Sequence, residues 1–506
     1  MKSTLSRAAR PSRKATRIAS SARAARRADV SGYEGVRVSG SENSSTLTPA
    51  YLHTLTPAPH RLVPARSGDH AAIHQLLLSI FHGPSAAEFH AQLDEPLYEP
   101  TDRLLVKSGE QLAAHLRITK RLLHFGSLTI PAAGFMDLGT SHEFRSRGFA
   151  TALLDAGQHQ AICEGALVGL TRTTAPELFR RQGWSVCGRH SFSVASPRQV
   201  LAHFCSRFPQ DEPALADEEQ AVSPLADRSE PPILVRPLRR IEMPAVMGIY
   251  EQRYGAAYGP LVRSDAWWDW LMARSAFDRA YVALAQGDHV ELPQLLASVV
   301  GAAFVKEGRI VELLSLPGQE RVARRLVARV CGDAVEFNSA QVRLDAAPHD
   351  PLHAHFAAAG GKTHLAATHQ GETCMARVFD PVAMLRLLEG ALLSRARAAE
   401  LPRPFSLGLD VFYHDADLTH AQDADVRSYR LVIGQRGVKL TAGHPGRSYL
   451  SLRRRDLTPL LLGHWNIAEA LAAGRLRAST RLAQDAAGIL FPQLPWYRPP
   501  LDELVA

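Results

Sequence analysis

The stretch Asp137-Leu-Gly-Thr-Ser-His-Glu-Phe-Arg145-Ser-Arg-Gly-Phe-Ala150 joins a strand-like run, 131–136, to a helical pattern over residues 151–164. A strand that turns into a helix leaves the unpaired N–H groups of the first helical turn pointing at one spot, where the helix dipole adds partial positive charge. A phosphate group is the natural ligand of such a turn. Gly148 lets the backbone approach an anion closely, and the two arginines of the stretch add positive charge beside it.

The motif Arg145-x-x-Gly148-x-Ala150 resembles the (Q/R)-x-x-G-x-(G/A) loop with which GNAT acetyltransferases hold the pyrophosphate of acyl-CoA. The helix that follows has an apolar stripe, which is the context this motif requires. The alternative is an ordinary strand, turn and helix with basic surface residues. The resemblance implies that acetyl-CoA is the acyl donor and that no metal is used. It implies an acetyl-CoA site formed by Leu138, Gly139, Thr140, Arg145, Ser146, Arg147, Gly148, Phe149, Ala150 and Thr151.

The strands around this motif follow the order of a GNAT domain over about 140 residues. Strand patterns precede the motif, and the runs 184–187 and 191–194 are predicted to close the same sheet. Residues 175–184 resemble the family's A-x-x-(L/I)-Y-x-x-x-G-(F/W) element, whose tyrosine often protonates the departing thiolate. Phe179 occupies that position and has no hydroxyl group, so the family's usual general acid is missing from it.

The chemistry of such a domain is direct attack of a neutral amine on a thioester. A backbone N–H near Leu138 or Gly139 is predicted to stabilise the oxyanion. Asp137 is a candidate general base, because acidic residues on the central strand serve that role, often through water, in several members of the family. The alternative is that Asp137 is a hydrogen-bonded polar group at the end of a strand.

The second half of the chain repeats the pattern of the first. The run 233–238 resembles the opening strand 61–66, and strand patterns follow up to residue 316. The chain then reads Pro317-Gly-Gln-Glu320, which puts a carboxylate where a pyrophosphate would lie. This favours a second GNAT-like domain that has lost acyl-CoA binding. In the last part of the chain, the elements Leu-Leu-Gly463 and Leu490-Phe-Pro resemble a sterol-carrier-like domain.

The whole arrangement resembles the enhanced intracellular survival (Eis) group of bacterial acetyltransferases. The predicted fold class is therefore α/β (α+β), with two GNAT-like mixed-sheet domains followed by a sterol-carrier-like α+β domain. The predicted divisions are a disordered basic tail (1–55), a catalytic GNAT domain (56–205), an acidic linker (206–231), a degenerate GNAT-like domain (232–379) and a sterol-carrier-like domain (380–506). Members acetylate amines, including aminoglycosides and lysine side chains, and many form hexamers. In that group the C-terminal carboxylate acts as a base, which points to Ala506.

Charge and cysteine content limit the possible partners. The net charge is +8, but residues 1–27 hold nine of the 58 basic residues and no acidic one, so the rest carries 49 basic against 50 acidic residues. A basic body for nucleic-acid binding is therefore not supported. Five scattered cysteines without a C-x-x-C pair are typical of reduced thiols in the cytoplasm. The sequence contains no apolar run long enough for a membrane span.

Two other patterns invite functional readings. The tryptophans of Trp267-Trp-Asp-Trp270 are read as core or domain interface rather than as a binding site. The histidines at 349, 353 and 355 lack partners at metal-ligand spacing and are read as structural.

Three functional hypotheses remain. The first is an acetyl-CoA-dependent N-acetyltransferase acting on a small-molecule amine or a lysine side chain, and forming a homo-oligomer. The second is a catalytically weak acyl-CoA-binding or regulatory protein, which Phe179 favours. The third is an apolar-ligand binder that uses the C-terminal domain.

Overall fold

The computed structural model describes residues 60–209, 232–274, 276–285, 291–413 and 426–502. Its strands are β1 (His60–Pro64), β2 (Arg103–Ser108), β3 (Gln111–Phe125), β4 (Leu128–Thr140), β5 (Val168–Thr173), β6 (Ser185–Val186), β7 (His190–Ala195), β8 (Ile233–Pro237), β9 (Tyr258–Leu261), β10 (Arg279–Ala285), β11 (Val299–Lys306), β12 (Arg309–Ser315), β13 (Val342–Asp345), β14 (Lys362–Ala366), β15 (Thr368–His369), β16 (Glu372–Val378), β17 (Phe405–Phe412), β18 (Val426–Ile433), β19 (Val438–Ala442), β20 (Tyr449–Arg453) and β21 (Leu476–Ala478). Its α-helices are α1 (His70–Phe81), α2 (Ala86–Leu93), α3 (Phe149–Cys163), α4 (Pro176–Arg181), α5 (Pro197–Arg207), α6 (Met243–Tyr254), α7 (Asp265–Ala273), α8 (Leu292–Ser298), α9 (Glu320–Glu336), α10 (Leu352–Ala358), α11 (Pro381–Leu387), α12 (Glu389–Ala398), α13 (Arg454–Leu461), α14 (Ile467–Ala472) and α15 (Arg481–Leu490). The predicted tail (1–55) and residues 210–231 of the predicted linker lie outside the described residues.

The first sheet has the strand order β1-β2-β3-β4-β5-β16-β15, with β6 paired to β16 and β9 paired to β3. Strands β2, β3 and β4 are antiparallel neighbours, whereas β4 and β5 run parallel. Helix α3 makes the crossover between the parallel strands, and its Leu153 and Leu154 are fully buried among side chains of the sheet. This crossover places the N-terminus of α3 beside the end of β4, as the sequence predicts.

The second sheet repeats that order as β8-β10-β11-β12-β13-β7-β14. Its parallel pair is β12 and β13, and α9 makes the crossover between them. The amphipathic α9 buries an apolar stripe that includes Val322, Leu326 and Val330. The mixed sheets with helical crossovers confirm the predicted α/β (α+β) fold class.

The two sheets exchange strands. Strand β7 pairs with β13 and β14 in the second sheet, although it follows β6 of the first sheet along the chain. In return, β16 lies beside β5 in the first sheet, with Thr373 opposite Thr173 and Val378 opposite Val168. The prediction that residues 191–194 close the first sheet is therefore wrong. The segment boundaries predicted at 56–205 and 232–379 divide the chain but do not divide the sheets, because each segment supplies strands to both.

The third sheet has the order β19-β18-β17-β20-β21 and packs against α11 to α15. Its central strand β17 runs antiparallel to β18 and parallel to β20. Buried leucines on β17 and β20 belong to a hydrophobic cluster that continues into α6 and α7 of the second sheet's layer. The C-terminal part is thus packed onto the rest of the chain through a continuous core.

The tryptophans of α7 belong to this core, which confirms their structural reading. Trp267, Trp268 and Trp270 are all buried, and the indole N–H of Trp270 donates a 2.7 Å hydrogen bond to the Ala91 carbonyl of α2. Within the described ranges, no helix is long and apolar enough to cross a membrane. In the same ranges, no group of three or more His, Cys, Asp or Glu side chains is arranged to hold a metal ion.

Candidate active site

The parallel strands β4 and β5 stop pairing before either strand ends. Their last pair is Phe135 with Thr171, and the Thr171 hydroxyl donates to the Phe135 carbonyl at 2.8 Å. Beyond this pair β4 continues to Thr140 and β5 to Thr173. The facing edges of both strands therefore carry backbone donors and acceptors that do not pair with each other. We call this opening between β4 and β5, beyond the pair Phe135 and Thr171, the wedge. An extended ligand with amide groups can bind in it.

A bulge in β4 lies at the closed end of this wedge. Asp137 and Leu138 together face the single residue Leu116 of β3, since the register shifts between the pairs on either side. Asp137 has a φ of 54°, in the left-handed region, so the backbone is re-aimed at this position. Strained backbone of this kind is common at sites that must direct a backbone group at a ligand.

The loop after β4 leads into the N-terminus of α3, where backbone N–H groups and the positive end of the helix dipole can hold an anion. Gly148 precedes the helix with a φ of 80°, and a Cβ there would meet nothing within 4 Å, so the conformation rather than crowding requires glycine. Ala152 donates the first intrahelical bond, to the Gly148 carbonyl at 3.0 Å. The N–H groups of Phe149, Ala150 and Thr151 come before that bond and lie at the positive end of a 15-residue helix.

The arginines of the loop are at the surface beside this site. Residues 145–148 are all exposed. The Arg147 guanidinium donates to the Glu143 carbonyl at 3.2 Å and lies 5.1 Å from the centroid of the Phe144 ring, so the loop holds it in place. An anion bound at the helix N-terminus would thus be flanked by positive charge.

Below the bulge lies a buried charge cluster made of Glu95, Arg103, Arg117, Arg121 and Asp137. Arg117 Nε is 3.0 Å from Asp137 Oδ2, and Arg117 Nη1 is 3.5 Å from Glu95 Oε2. Arg121 Nη1 is 2.5 Å from Glu95 Oε1, and its guanidinium lies over the Trp267 ring of α7. Asp137 has the most accessible of the side chains that these ion pairs join, with 13 % of it exposed, compared with 6 % for Arg121 and 3 % for Glu95.

The electrostatics of the cluster keep Asp137 ionised. Burial alone would raise the pKa of its carboxyl, but the guanidiniums of Arg117 and Arg103 outweigh that effect and hold the pKa below its usual range. A carboxylate with a lowered pKa is a weak base at neutral pH. The structure thus places Asp137 at the wedge, where the sequence predicts it, and its carboxylate forms an ion pair with Arg117.

His115 of β3 is fully buried next to this carboxylate. Its Nε2 is 3.1 Å from Arg103 Nη1, and its Nδ1 is 2.9 Å from the backbone carbonyl oxygen of Asp137. Burial, reinforced by Arg103, lowers the pKa of the His115 imidazole to about 3, so the ring is neutral.

Phe179 of α4 belongs to the core of the first sheet. It is 2 % exposed and packs edge to face on Trp184, with 5.3 Å between the ring centroids. The position that carries a tyrosine acid in the family is filled here by a packing residue.

The sequence predicted the loop and the end of β4 but missed the buried charge cluster and His115. A signal existed, because His115, Arg117, Thr119 and Arg121 alternate along β3 and so share one face of the sheet. A polar face on a strand is normally solvated, however. Here α2, the segment after it and α7 cover that face.

The corresponding wedge of the second sheet is bridged by a side chain. Strands β12 and β13 pair only at residues 309–310 and 343–344. Beyond these pairs, Arg253 of α6 bridges the end of β12 and the segment that follows β13. It donates to the Ser315 carbonyl at 3.0 Å and to Asp350 at 3.3 Å. At the start of α9, Glu320 puts negative charge on the first helical turn.

Comparison with known proteins agrees with this geometry. Residues 61–187 match the sequence profile described as Acetyltransferase (GNAT) domain. No curated protein matches the chain.

Among solved structures, a GCN5-related N-acetyltransferase from Kribbella flavida superposes with a TM-score of 0.60 at 16% identity, covering 87% of this chain and 97% of that one. A GCN5-related N-acetyltransferase from Anabaena variabilis gives 0.61 at 15% identity, with 87% and 99% coverage. Eis1 from Mycobacterium abscessus gives 0.56 at 16% identity, with 86% and 98% coverage. At these identities the likeness establishes a shared fold.

Proposed function

We propose that the chain is an acyltransferase that transfers the acetyl group of acetyl-CoA to a primary amine, because residues 61–187 match the profile of a GNAT acetyltransferase domain. The observation that carries this proposal is the open wedge between β4 and β5 with an anion-binding helix N-terminus at its mouth. The acceptor is a small-molecule amine or a lysine side chain.

In this proposal acetyl-CoA lies along the wedge. Its pyrophosphate is bound by residues 145–151, where helix N–H groups and two arginines converge. The amide groups of the pantetheine arm pair with the free edge of β4 at Thr140, because Ser141 and Gly139 direct their backbone groups to β3. The thioester then reaches the bulge, where the Leu138 N–H donates to its carbonyl oxygen.

The reaction needs no covalent intermediate. The neutral amine nitrogen attacks the thioester carbon, a C–N bond forms, and the carbonyl π electrons move onto the oxygen. The Leu138 N–H stabilises this oxyanion, which then collapses, breaks the C–S bond and releases the thiolate of coenzyme A. The proton lost by the amine passes to water or to a base. The thiolate is a fair leaving group, so the absence of a hydroxyl at Phe179 slows the reaction but does not prevent it.

Two residues were predicted as catalytic. For Asp137 we propose an electrostatic role, because its carboxylate is paired with Arg117 at 3.0 Å and its pKa is lowered. Ala506 lies outside the described residues, and its carboxylate as base stays a prediction.

The remainder of the chain supports this site in our proposal. The second sheet is a degenerate GNAT-like domain, since Arg253 occupies its wedge and Glu320 repels a pyrophosphate. The last sheet is a sterol-carrier-like domain that shapes the acceptor side, and the active form is a homo-oligomer, for which the resemblance to the Eis group suggests a hexamer.

The test is release of free thiol from acetyl-CoA with polyamines, aminoglycosides and lysine peptides as separate acceptors. Release that depends on one acceptor class supports the proposal and names the substrate class. Binding of acetyl-CoA without release for any acceptor would favour the second candidate, an acyl-CoA-binding or regulatory protein, for which Phe179 is the motivating observation.

A substitution at Asp137 distinguishes the electrostatic role from that of a base. Because the folded-state pKa of Asp137 is lowered, its charge contributes stability above its unfolded pKa, and this contribution is lost as the pH falls through the folded pKa. Asp137→Asn is expected to lower the free energy of unfolding by about 2 kcal/mol at neutral pH, and by less in acid. The variant should keep the pH profile of kcat/KM between about pH 6 and 9. Loss of one limb of that profile would identify Asp137 as the base instead.

A further inference from the structure

The peptide group between Asp137 and Leu138 is held from one side by a single side chain. The Asp137 carbonyl oxygen lies 2.9 Å from His115 Nδ1. A trans peptide is planar, so its N–H points away from its carbonyl. The N–H of Leu138 therefore points away from His115, and its direction is set by whatever fixes the Asp137 carbonyl.

The chemistry of Arg103 determines the tautomer of this histidine. A guanidinium only donates hydrogen bonds, so His115 Nε2, 3.1 Å from Arg103 Nη1, must be the acceptor. The proton of the neutral ring is then on Nδ1, which donates it to the Asp137 carbonyl. Both ring nitrogens are used, which leaves none to accept a proton from an amine.

Arg103 is itself fixed by groups that carry no charge. Its Nη2 donates to Gln92 at 2.9 Å and its Nε to the Tyr98 hydroxyl at 3.2 Å. The side chain is fully buried, and its guanidinium carbon lies 4.9 Å from the centroid of the Phe89 ring. These contacts give the guanidinium one orientation, and the imidazole that accepts from it is oriented in turn.

We propose that His115 is a positioning residue for acyl transfer, which aims the Leu138 N–H at the thioester oxygen by holding the Asp137 carbonyl. This inference rests on the proposed function. The left-handed φ of Asp137 explains why a side chain must hold this peptide group. A peptide in a bulge has lost the regular hydrogen-bond partner on the neighbouring strand that would otherwise fix it. A donor fixed before the substrate arrives stabilises an oxyanion without reorganisation.

Two substitutions each keep one half of the imidazole. In His115→Asn the side-chain Nδ2 lies as many bonds from Cβ as Nδ1 does, so a donor to the Asp137 carbonyl remains while the acceptor for Arg103 is lost. In His115→Gln the amide oxygen can accept from Arg103, but the donor at the Nδ1 position is lost. His124 is also buried on β3, near Glu251, and His124→Asn is the matched control.

The relative kcat values of the two variants distinguish orientation of the Leu138 N–H from support of Arg103. His115→Asn should keep kcat within about threefold of wild type, whereas His115→Gln should lower kcat by about tenfold to a hundredfold, approaching the loss of one oxyanion donor. The KM for acetyl-CoA should stay within about twofold in both, because the pyrophosphate loop is untouched. His124→Asn should change neither constant. If His115→Gln is the more active variant, the role is only to support Arg103 and the inference is wrong.

A vibrational measurement reads the hydrogen bond itself. With carbonyl-labelled acetyl-CoA bound, the thioester stretch is expected at lower frequency in wild type and His115→Asn than in His115→Gln. Equal frequencies in all three would overturn the inference. Failure of the proposed function gives a different result, since wild type would then bind no acetyl-CoA or release no thiol with any amine.

Discussion

The double variant Arg145→Glu/Gly148→Asp is expected to weaken acetyl-CoA binding at least about a hundredfold, roughly 2.7 kcal/mol. One change replaces a cation by an anion beside the pyrophosphate site. The other adds a carboxylate at the helix N-terminus and forces a side chain into a backbone with a φ of 80°. Titration calorimetry with acetyl-CoA measures the effect on binding, and kcat/KM should fall by at least the same factor.

The chain offers a matched control for this variant. Gly318, between β12 and α9, also has a φ of 80° and open space around its Cβ position. Gly318→Asp/Gln319→Glu therefore makes a similar change at the corresponding turn of the second sheet and should leave acetyl-CoA affinity unchanged. If the control variant loses binding while the first variant keeps it, the acyl-CoA site is in the second sheet.

Removing Arg263 is expected to produce the largest loss of stability. Its side chain is fully buried between the rings of Tyr250 and Trp268, at 4.1 and 4.6 Å from their centroids. It donates to Glu312 at 2.8 and 3.1 Å and to Asp502 at 2.8 Å. Arg263→Ala leaves two buried carboxylates facing each other and should lower the free energy of unfolding by about 3–5 kcal/mol.

The pH dependence of this loss follows from Glu312. Burial raises its pKa to about 7 even beside Arg263, so its contribution to stability is present below the unfolded pKa and is lost as the pH rises through about 7. Without Arg263 the buried Glu312 carboxyl loses the cation that favours its ionised form, so the variant should be least stable relative to wild type in alkaline solution. Denaturant unfolding at several pH values measures this.

A half-exposed arginine provides the comparison. Arg279 pairs with Asp333 at 3.5 Å with 38 % of its side chain exposed, so Arg279→Ala should cost less than about 1 kcal/mol. Amide exchange adds a local readout, because the Leu261 N–H donates to Asp502 at 2.8 Å and should exchange faster in Arg263→Ala. Equal losses in the free energy of unfolding for both variants would show that the buried triad of Arg263, Glu312 and Asp502 stabilises the fold no more than a surface ion pair does.

The sequence predicted what is encoded locally. The strand, loop and helix around residues 137–150 follow from adjacent residues, because turn chemistry and apolar periodicity act over a few positions. The same holds for the missing hydroxyl at Phe179, which is read directly from one residue.

The strand exchange was beyond a local reading. Residues 191–194 and 373–376 are both short, largely buried strands, and each pairs with residues more than 100 positions away along the chain. Period-two patterns indicate a strand but not its neighbours, since pairing is decided by packing of the whole sheet. Placing each strand beside its neighbours in the sequence therefore assigns β7 to the wrong sheet.

The buried charges illustrate a second limit. Arg117 lies on β3, where polar and apolar residues alternate, and such alternation normally indicates a solvated face; Arg103 lies on the neighbouring strand β2. Only the covering contacts of Gln92, Glu95 and Trp267 turn that face into an interior. The role of His115 depends on its distance to one backbone oxygen, which no sequence pattern records.

We propose that an acetyl group passes directly from a thioester to an amine at the wedge between β4 and β5. The most direct test is a single turnover with carbonyl-labelled acetyl-CoA, excess protein and an accepting amine, followed by NMR of the label. Direct transfer predicts that the label moves from thioester to amide without a protein-bound stage in wild type, and stays in the thioester with Arg145→Glu/Gly148→Asp. Label that accumulates on the protein, or amide formed equally fast by the double variant, would contradict it.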